Sequence, residues 1–234
     1  MWTRAELKEK AWYLLRNCCY WKAVLVAFIF AAVGGLGGGG GSAGGSSSAS
    51  DFDSISGPEV AAILIIVLIV VLIALVFGFV FSAFISNPVI VGCSRFFTLS
   101  CMQDANVNEI GVAFKNGVYM NVVKTMFKMT IEIFLWSLLF VIPGIIKSYE
   151  YRMVRYIVAE NPNISWEDAK QLSINMMEGN KMAAFVLDLS FIGWNILGAF
   201  TCGLLSIFWV NPYKCLTDAE LYLTLRANMF VQQP

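Results

Sequence analysis

The chain has 234 residues, of which 58% are hydrophobic and 14% are charged, and its formal net charge is zero. Charged residues make up about a quarter of a typical soluble domain, so this composition argues against a soluble domain and indicates a membrane protein. The sequence contains no histidine, which excludes Ser-His-Asp triads and HExxH zinc sites. Its six cysteines form no CxxC pair, and the neutral charge balance does not suggest a nucleic-acid partner.

The first 22 residues predict an amphipathic cytoplasmic helix. Thr3 and Glu6 have the spacing of a capping box, in which two side chains satisfy two free amides. Charged and apolar residues then interleave as far as Tyr20, which is typical of a helix at the headgroup boundary. A solvated helix face fits the same pattern. Trp21 and Lys22 mark the start of the first span, because aromatic and basic side chains anchor spans at the interface.

Two runs without charge predict the first two membrane spans. Neither Ala23–Ser50 nor Val60–Ser94 contains a charged residue, and about 20 apolar residues are enough to cross a bilayer. We place span one from residue 23 and span two at about 58–85. A Gly/Ser-rich extracytoplasmic loop at about 34–57 joins them, since its composition is that of a flexible linker.

The middle of the chain predicts a loop and two further spans. Asn87-Pro88 is expected to break the second helix, because proline disfavours the helical conformation of the residue before it. A cytoplasmic loop at about 87–128 should contain one or two surface-lying helices. Span three runs over about 129–146, with Pro143-Gly144 as a kink or a tight turn. Residues 147–159 form either a fourth span with a polar face or an interfacial helix.

The last third predicts a second cytoplasmic loop and two spans. The loop at about 161–181 contains a short amphipathic helix over residues 165–177. Asp188 is the only charged residue in the 29 residues from 182 to 210, which exceed the length of one span. Thr201-Cys202-Gly203 is the expected tip between spans five and six, and span six continues to about Arg226.

The distribution of basic residues predicts the orientation, because cytoplasmic flanks carry the excess of Lys and Arg. With six spans and the N-terminus inside, 13 of the 16 basic residues are cytoplasmic, and only Lys147 is outside. A five-span arrangement, with residues 145–181 outside, misplaces five basic residues. We therefore predict an all-α, polytopic transmembrane helical bundle of about six spans in the cell membrane. Residues 23–234 form its single domain, and both termini are cytoplasmic.

A set of short motifs extends across the later half of the chain. They are Ile142-Pro143-Gly144-Ile145-Ile146-Lys147-Ser148-Tyr149, Asn161-Pro162, Ser173 with Met176-Met177-Glu178-Gly179-Asn180-Lys181, Leu189-Ser190-Phe191-Ile192-Gly193-Trp194 and Asn211-Pro212-Tyr213. In this order they resemble the bacterial integral membrane family called domain of unknown function 975, and the opening from Arg4 to Trp21 resembles that family's start. The resemblance implies a multi-span membrane protein, mostly of Gram-positive bacteria, without an assigned activity. It also implies that residues 147–159 belong to the membrane bundle.

Four ionisable residues form a candidate intramembrane polar cluster: Glu150, Arg152, Arg155 and Asp188. Charged groups inside a span normally face a partner or a water-filled cavity. We predict that Asp188 pairs with Arg152 or Arg155 and lines a polar pathway. Structural ion pairs, or side chains that reach to the interface, are the alternative.

The missing catalytic chemistry predicts a non-enzymatic membrane protein, either permease-like or an accessory component of the envelope. A membrane-embedded enzyme acting on lipid or peptide, and a lipid-interacting component of the envelope-stress response, are the alternatives. The expected partner is the lipid bilayer, and a membrane-protein partner or a homo-oligomer stays open. We expect no cofactor and no metal. The motifs do not repeat visibly, so an inverted-repeat transporter is not favoured.

Overall fold

The computed structural model describes residues 3–17, 20–37, 57–102, 105–115, 117–201 and 203–232. Every regular element in these ranges is helical, which confirms the all-α class. The α-helices are α1 (Arg4–Asn17), α2 (Tyr20–Gly37), α3 (Gly57–Phe81), α4 (Asn87–Met102), α5 (Tyr119–Leu139), α6 (Val141–Glu150), α7 (Val154–Glu160), α8 (Trp166–Met177), α9 (Lys181–Phe200) and α10 (Asn211–Gln232). Two π-helical segments, Ser82–Ser86 and Ser206–Val210, and a 3-10 helix, Val107–Phe114, complete the fold. Most of the predicted Gly/Ser-rich loop, residues 38–56, lies outside the described residues.

The predicted N-terminal helix is present and amphipathic. The Glu6 amide donates to the Thr3 hydroxyl at 3.3 Å and the Thr3 amide donates to the Glu6 carboxylate at 3.1 Å, as a capping box requires. The Thr3 hydroxyl also donates to the Glu6 carboxylate at 2.9 Å, and this bond, together with that from the Thr3 amide, lowers the pKa of Glu6. Leu7, Ala11 and Leu15 repeat every four residues and are buried, and α1 packs against α10. The apolar face of α1 is therefore covered by α10.

Helix α4 lies in the core rather than on the surface, so the expectation of surface-lying helices after residue 87 is wrong for this segment. Phe96 and Phe97 are almost fully buried. The hydroxyl groups of Ser94, Thr98 and Ser100 donate to carbonyls four residues earlier in the helix, which satisfies them without water. Polar residues with such local partners are compatible with burial.

Asn87-Pro88 does not break the helix, because a distant tyrosine replaces the missing backbone donor. The π-helical segment Ser82–Ser86 leads directly into α4. Pro88 has no amide hydrogen, so the carbonyl of Phe84, four residues earlier, loses its usual helical donor. The Tyr119 hydroxyl donates to that carbonyl at 2.7 Å. A π-bulge and the hydrogen bond from Tyr119 thus allow the helix to continue past Pro88.

The same arrangement recurs at the start of α10. The π-helical segment Ser206–Val210 leads into Asn211-Pro212, and the carbonyl of Phe208 accepts a hydrogen bond from the Tyr20 hydroxyl at 3.3 Å. Both sites read Ser-x-Phe-x-x-Asn-Pro, at residues 82–88 and 206–212. The two helices that follow these motifs pack against each other. The chain therefore contains a repeated helix-π-helix unit that inspection of its motifs did not find.

Replacing Tyr119 with phenylalanine should destabilise the fold by about 0.5–1 kcal/mol, because the Phe84 carbonyl loses its donor. Denaturant unfolding of the detergent-solubilised protein measures this change. In a Pro88→Ala background the restored amide at position 88 can donate to the same carbonyl, and the Tyr119→Phe step should then have little effect. An equal loss in both backgrounds would contradict this role of Tyr119.

Helices α5 and α6 form a hairpin whose tip is Phe140. The sequence placed a kink or turn at Pro143-Gly144, three residues later than the observed break. Pro143 lies in the first turn of α6, where the missing amide has no helical partner to lose. Gly144 lies directly against Ser137 of α5, where a side-chain carbon would overlap. Gly144 thus allows α5 and α6 to approach closely, and it does not form the turn between them.

The predicted fourth span, residues 147–159, is not one helix. A turn at Tyr151–Met153 separates α6 from α7, and α7 packs against α4 and α8. Tyr151 and Met153 are almost completely buried. The helices on the two sides of the turn have different main neighbours, since α6 packs mainly against α5 and α7 packs mainly against α4.

The predicted helix after residue 165 is confirmed. Ser165 caps α8 by accepting a hydrogen bond from the Asp168 amide at 3.2 Å, and Gly179 follows the helix with φ of 72°. The predicted tip after α9 also agrees with a turn in which Gly203 has φ of 83°. Cys202 itself lies outside the described residues.

Within the part of the chain that the structure describes, one helix has the length and hydropathy of a membrane span. It covers Lys181–Gly198, with a mean hydropathy of 1.2 and 22% of its residues buried. Arg4–Arg16 and Tyr20–Phe30, bent by 111°, meet the same criterion when taken together. This criterion is a weak indication of membrane association.

Candidate functional site

A cavity of about 690 Å³ lies between α2, α4, α5, α6, α7, α9 and α10. We call it the central cavity. Its size falls within the range of small-molecule sites, roughly 300–1,000 Å³. Its charged and hydrogen-bonding wall consists of Tyr149, Arg152, Arg155, Asp188, Lys214 and Asp218. Apolar side chains, among them Phe30, Phe97 and Met129, form much of the rest.

Arg152 is the hub of the polar wall. Its Nη1 donates to Asp188 Oδ2 at 2.7 Å, and its Nη2 donates to Asp188 Oδ1 at 3.0 Å. The same Nη2 also donates to Asp218 Oδ1 at 2.6 Å. The Arg152 and Asp218 side chains are only 9% and 8% exposed. Bidentate, charge-assisted contacts of this kind fix geometry strongly, so Arg152 holds α9 and α10 in register with the turn between α6 and α7.

Arg155 is less fully paired than Arg152. Its Nη2 donates to Asp218 Oδ2 at 3.2 Å, and its guanidinium carbon lies 4.9 Å from the centre of the Tyr156 ring. Its Nε is buried and has no hydrogen-bond acceptor among the described residues. A buried donor without an acceptor is uncommon in folded proteins. Arg155 therefore keeps hydrogen-bonding capacity that the rest of the fold does not use.

Two further side chains complete the network at Asp188. The Tyr149 hydroxyl donates to Asp188 Oδ2 at 3.0 Å. Lys214 Nζ lies 3.5 Å from Asp188 Oδ1, and its side chain is 39% exposed. Lys214 is thus the most accessible cation of the cavity wall, while Arg152 is the least accessible.

The repeated unit supplies equivalent faces of α4 and α10 to the cavity. Asn87 and Asn211 both line it, as do the residues three positions later, Ile90 and Lys214. The residues seven positions after each asparagine, Ser94 and Asp218, line it as well. Positions i, i+3 and i+7 share one face of a helix. The two units therefore offer the same face to the central cavity, but only the α10 copy carries charges.

The structure separates the four predicted site residues into two groups. Arg152 and Asp188 form the predicted pair, and Arg155 joins them through Asp218. Glu150 lies elsewhere and pairs with Lys147 and Lys181, each at 2.6 Å. The reason is the spacing of Glu150 and Arg152, because residues two positions apart in a helical segment point to different sides and meet different partners.

Three residues of the site were not predicted: Tyr149, Lys214 and Asp218. Lys214 and Asp218 lie four residues apart within the predicted sixth span, so they should share one helix face. The rule that ionisable residues within spans face partners or cavities applies to them as it does to Asp188. The four-residue spacing of Lys214 and Asp218 is therefore a sequence feature from which these two site residues are predictable.

The polar wall has residue types that bind charged groups in other proteins. Asp188 and Asp218 both bind Arg152, so neither is an isolated carboxylate in the cavity. In the described ranges, no group of three or more His, Cys, Asp or Glu side chains could hold a metal ion. The wall combines carboxylates held by Arg152 with cations whose side chains differ in solvent exposure. Such an arrangement can orient an ionic ligand.

Comparison with known proteins places the chain in a family. The model of the family described as "Protein of unknown function (DUF975)" matches residues 60–229, which is more than half of the chain. The chain belongs to this family. The match covers the later motifs on which the resemblance was noted, including both Asn-Pro sites of the repeated unit, whereas Arg4–Trp21 precedes it. No curated protein and no solved structure was found to be similar to the chain.

Membership in DUF975 assigns no activity, because the family itself is uncharacterised. It does place α4 to α9, and α10 as far as Met229, within the matched region. Most of the central cavity, including every member of its polar wall, therefore lies inside the region that defines the family.

Proposed function

We propose that this protein is a multi-pass cell-membrane protein with both termini in the cytoplasm. It acts without catalysis, as a permease-like or accessory unit, by binding an ionic group in the central cavity. Six helical segments enter the membrane: α2, α3, α5, α6, α9 and the π-helical segment that precedes α10. Of these, α2 and α3 cross it, and the other four form two hairpins.

The observation that carries this proposal is the exposure of α3. Residues 65–73 are all Ile, Val or Leu, and each is 48–65% exposed. These nine residues make two and a half turns, so the helix is apolar and exposed on every side. An all-apolar helix is either buried in a core or surrounded by lipid. Since α3 is not buried, lipid is the environment that fits it.

The two hairpins have exposed apolar tips that are short for a full crossing. Residues 138–142 at the tip of α5 and α6 are each 62–74% exposed. The uncharged part of α5 after Glu132 is seven residues long, or about 10 Å, against about 30 Å of hydrocarbon. Helix α9 meets the length and hydropathy criterion of a span over Lys181–Gly198, but Asp188 interrupts this run. The uncharged part after Asp188 is 12 residues long, or about 18 Å. These lengths support hairpins that enter from the cytoplasmic side and return to it.

The charged parts of the chain support the same orientation. The basic residues of α1, α4, α5, α8 and α10 all lie on the same side in this arrangement. The excess of Lys and Arg predicts that this side is cytoplasmic. Re-entrant hairpins also return Lys147, the single basic residue that six full spans would put outside, to the cytoplasmic side. The central cavity then lies at the inner face of the membrane, between the bases of the hairpins.

Single-cysteine labelling tests this topology, on a background in which all six native cysteines are replaced. Ser47→Cys should react with an impermeant thiol reagent in intact cells, because it lies in the predicted outer loop. Asn163→Cys should react only after permeabilisation, and Phe140→Cys in neither condition. Labelling of Asn163→Cys in intact cells would refute the cytoplasmic placement of residues 161–181. Labelling of Phe140→Cys in intact cells would instead show that α5 and α6 cross completely.

A further inference from the structure

The central cavity carries a surplus of positive charge. Its lining includes three cations, Arg152, Arg155 and Lys214, and two carboxylates, Asp188 and Asp218. Arg152 is shared between both carboxylates, so the remaining cations have only partial counter-charges. A charge without a counter-ion is strongly disfavoured in a site of low polarity. One further negative charge would balance the site.

Hydrogen bonding points to the same kind of ligand. The Arg155 side chain is 23% exposed and contacts Asp218 through one of its nitrogens, and Lys214 Nζ is 3.5 Å from Asp188, its carboxylate partner among the described residues. Guanidinium groups match the oxygen geometry of phosphates, and an ammonium group adds a point charge. Both groups line the same cavity. An acceptor with several oxygens and one negative charge would satisfy both of them.

The surroundings place an apolar surface next to this wall. Ile145 lies one helical turn before Tyr149 and is 50% exposed, while Leu189 follows Asp188 directly and is 51% exposed. Ile192, one turn after Asp188, is 47% exposed. Ile145 and Ile192 thus each share a helix face with a residue of the polar wall, on two different helices. A ligand with a charged head and an apolar tail would cover both surfaces together.

We propose that the central cavity binds a phosphate group of single net negative charge through Arg155 and Lys214, while Asp188 and Asp218 hold Arg152 in place. The proposal rests on the proposed function, because it names the ligand of the same cavity. The phosphate belongs either to the headgroup of an anionic membrane lipid or to a free phosphate ion. Anionic lipids are abundant at the inner membrane face, where the proposed topology places the cavity.

Binding to the detergent-purified full-length protein tests this proposal, with phosphatidylglycerol, phosphatidylcholine and inorganic phosphate as separate probes in a calorimetric titration. Saturable binding of phosphatidylglycerol alone assigns the site to a lipid headgroup, and binding of inorganic phosphate assigns it to the free ion. Lys214→Gln should weaken the binding about tenfold, because one positive charge is lost from the site. Lys128→Gln is the matched control, since Lys128 belongs to an exposed ion pair with Glu167. It should not change the affinity.

Asp188→Asn provides a further test, because a purely structural role of Asp188 predicts no gain in affinity for the phosphate probe. Removing this carboxylate raises the positive surplus, so the affinity for the phosphate probe should increase, whereas Lys214→Gln decreases it. Arg155→Gln should abolish binding, and the Lys214 result stands even where that variant does not fold. Absence of saturable binding by either anionic probe, or equal affinities in the wild type and Lys214→Gln, would overturn the proposal. Cysteine labelling as expected together with such a result would refute the ligand and leave the topology standing.

Discussion

Arg152→Gln is expected to destabilise the protein by about 3–5 kcal/mol, the usual effect of breaking a buried ion pair. The guanidinium group is 9% exposed and holds two carboxylates from two helices. Its removal leaves Asp188 and Asp218 close together without their shared counter-ion. The measurement is the folded fraction in detergent, followed by size-exclusion chromatography and by denaturant unfolding.

A conservative variant and a control separate this effect from a general intolerance of mutation. Arg152→Lys keeps a positive charge between Asp188 and Asp218 and should retain part of the stability that Arg152→Gln loses, although lysine cannot make the bidentate contact. Lys128→Gln removes an exposed ion-pair partner and should change the stability by less than about 1 kcal/mol. Arg152→Gln with wild-type stability would show that the network does not hold the helices together.

The double variant Leu68→Arg/Leu72→Arg should be lost from the membrane fraction. Each arginine costs about 2.5–3.5 kcal/mol at the centre of a spanning helix on insertion scales. The side chains of Leu68 and Leu72 are 65% and 59% exposed. Two arginines at these positions should therefore disfavour the insertion of α3 into the membrane. On a water-exposed helix the same changes would be harmless, so the direction of the effect identifies the solvent of α3. Quantitative immunoblotting of membrane and soluble fractions measures the result.

A control with the same charge and spacing is available on α8. Gln171 and Asn175 are exposed and four residues apart, and arginine at both positions should leave the amount of membrane-bound protein unchanged. If the Leu68/Leu72 variant accumulates in the membrane like this control, then α3 does not lie in the hydrocarbon layer.

The sequence was most informative where a structure depends on neighbouring residues. The caps at Thr3 and Ser165 were predicted correctly, because an N-cap involves only three or four consecutive positions. The turn after α8 was also predictable, since Gly179 takes a backbone conformation that favours glycine. The motifs of the later half led to the family, which the family model confirms over residues 60–229.

Contacts between distant residues were harder to predict. The helix continues through Pro88 because Tyr119, 31 residues later, supplies a hydrogen bond to the preceding turn. No local pattern announces that partner. Likewise, α4 reads as a polar, surface-lying segment, and only the complete fold shows that its hydroxyl groups are satisfied within the helix.

The site was predicted in part. Charged residues in apolar surroundings directed attention to Arg152 and Asp188, which the structure brings together. Glu150 was grouped with them as an ionisable residue of the same predicted segment, but it is two positions from Arg152 and therefore points to another side. Asp218 was missed because span six was treated as an extension of an apolar run. The intramembrane position of this cluster stays a prediction, which the labelling experiment addresses.

The sharing of Arg152 has a consequence for the synthesis of the chain. Asp188 follows Arg152 by 36 residues and Asp218 follows it by 66, so the ribosome adds the second carboxylate 30 residues after the first. Until then, two neighbouring arginines have one carboxylate between them, and α10 is not yet there to cover α1 and α4. A truncated product therefore keeps uncompensated charge and uncovered apolar surface.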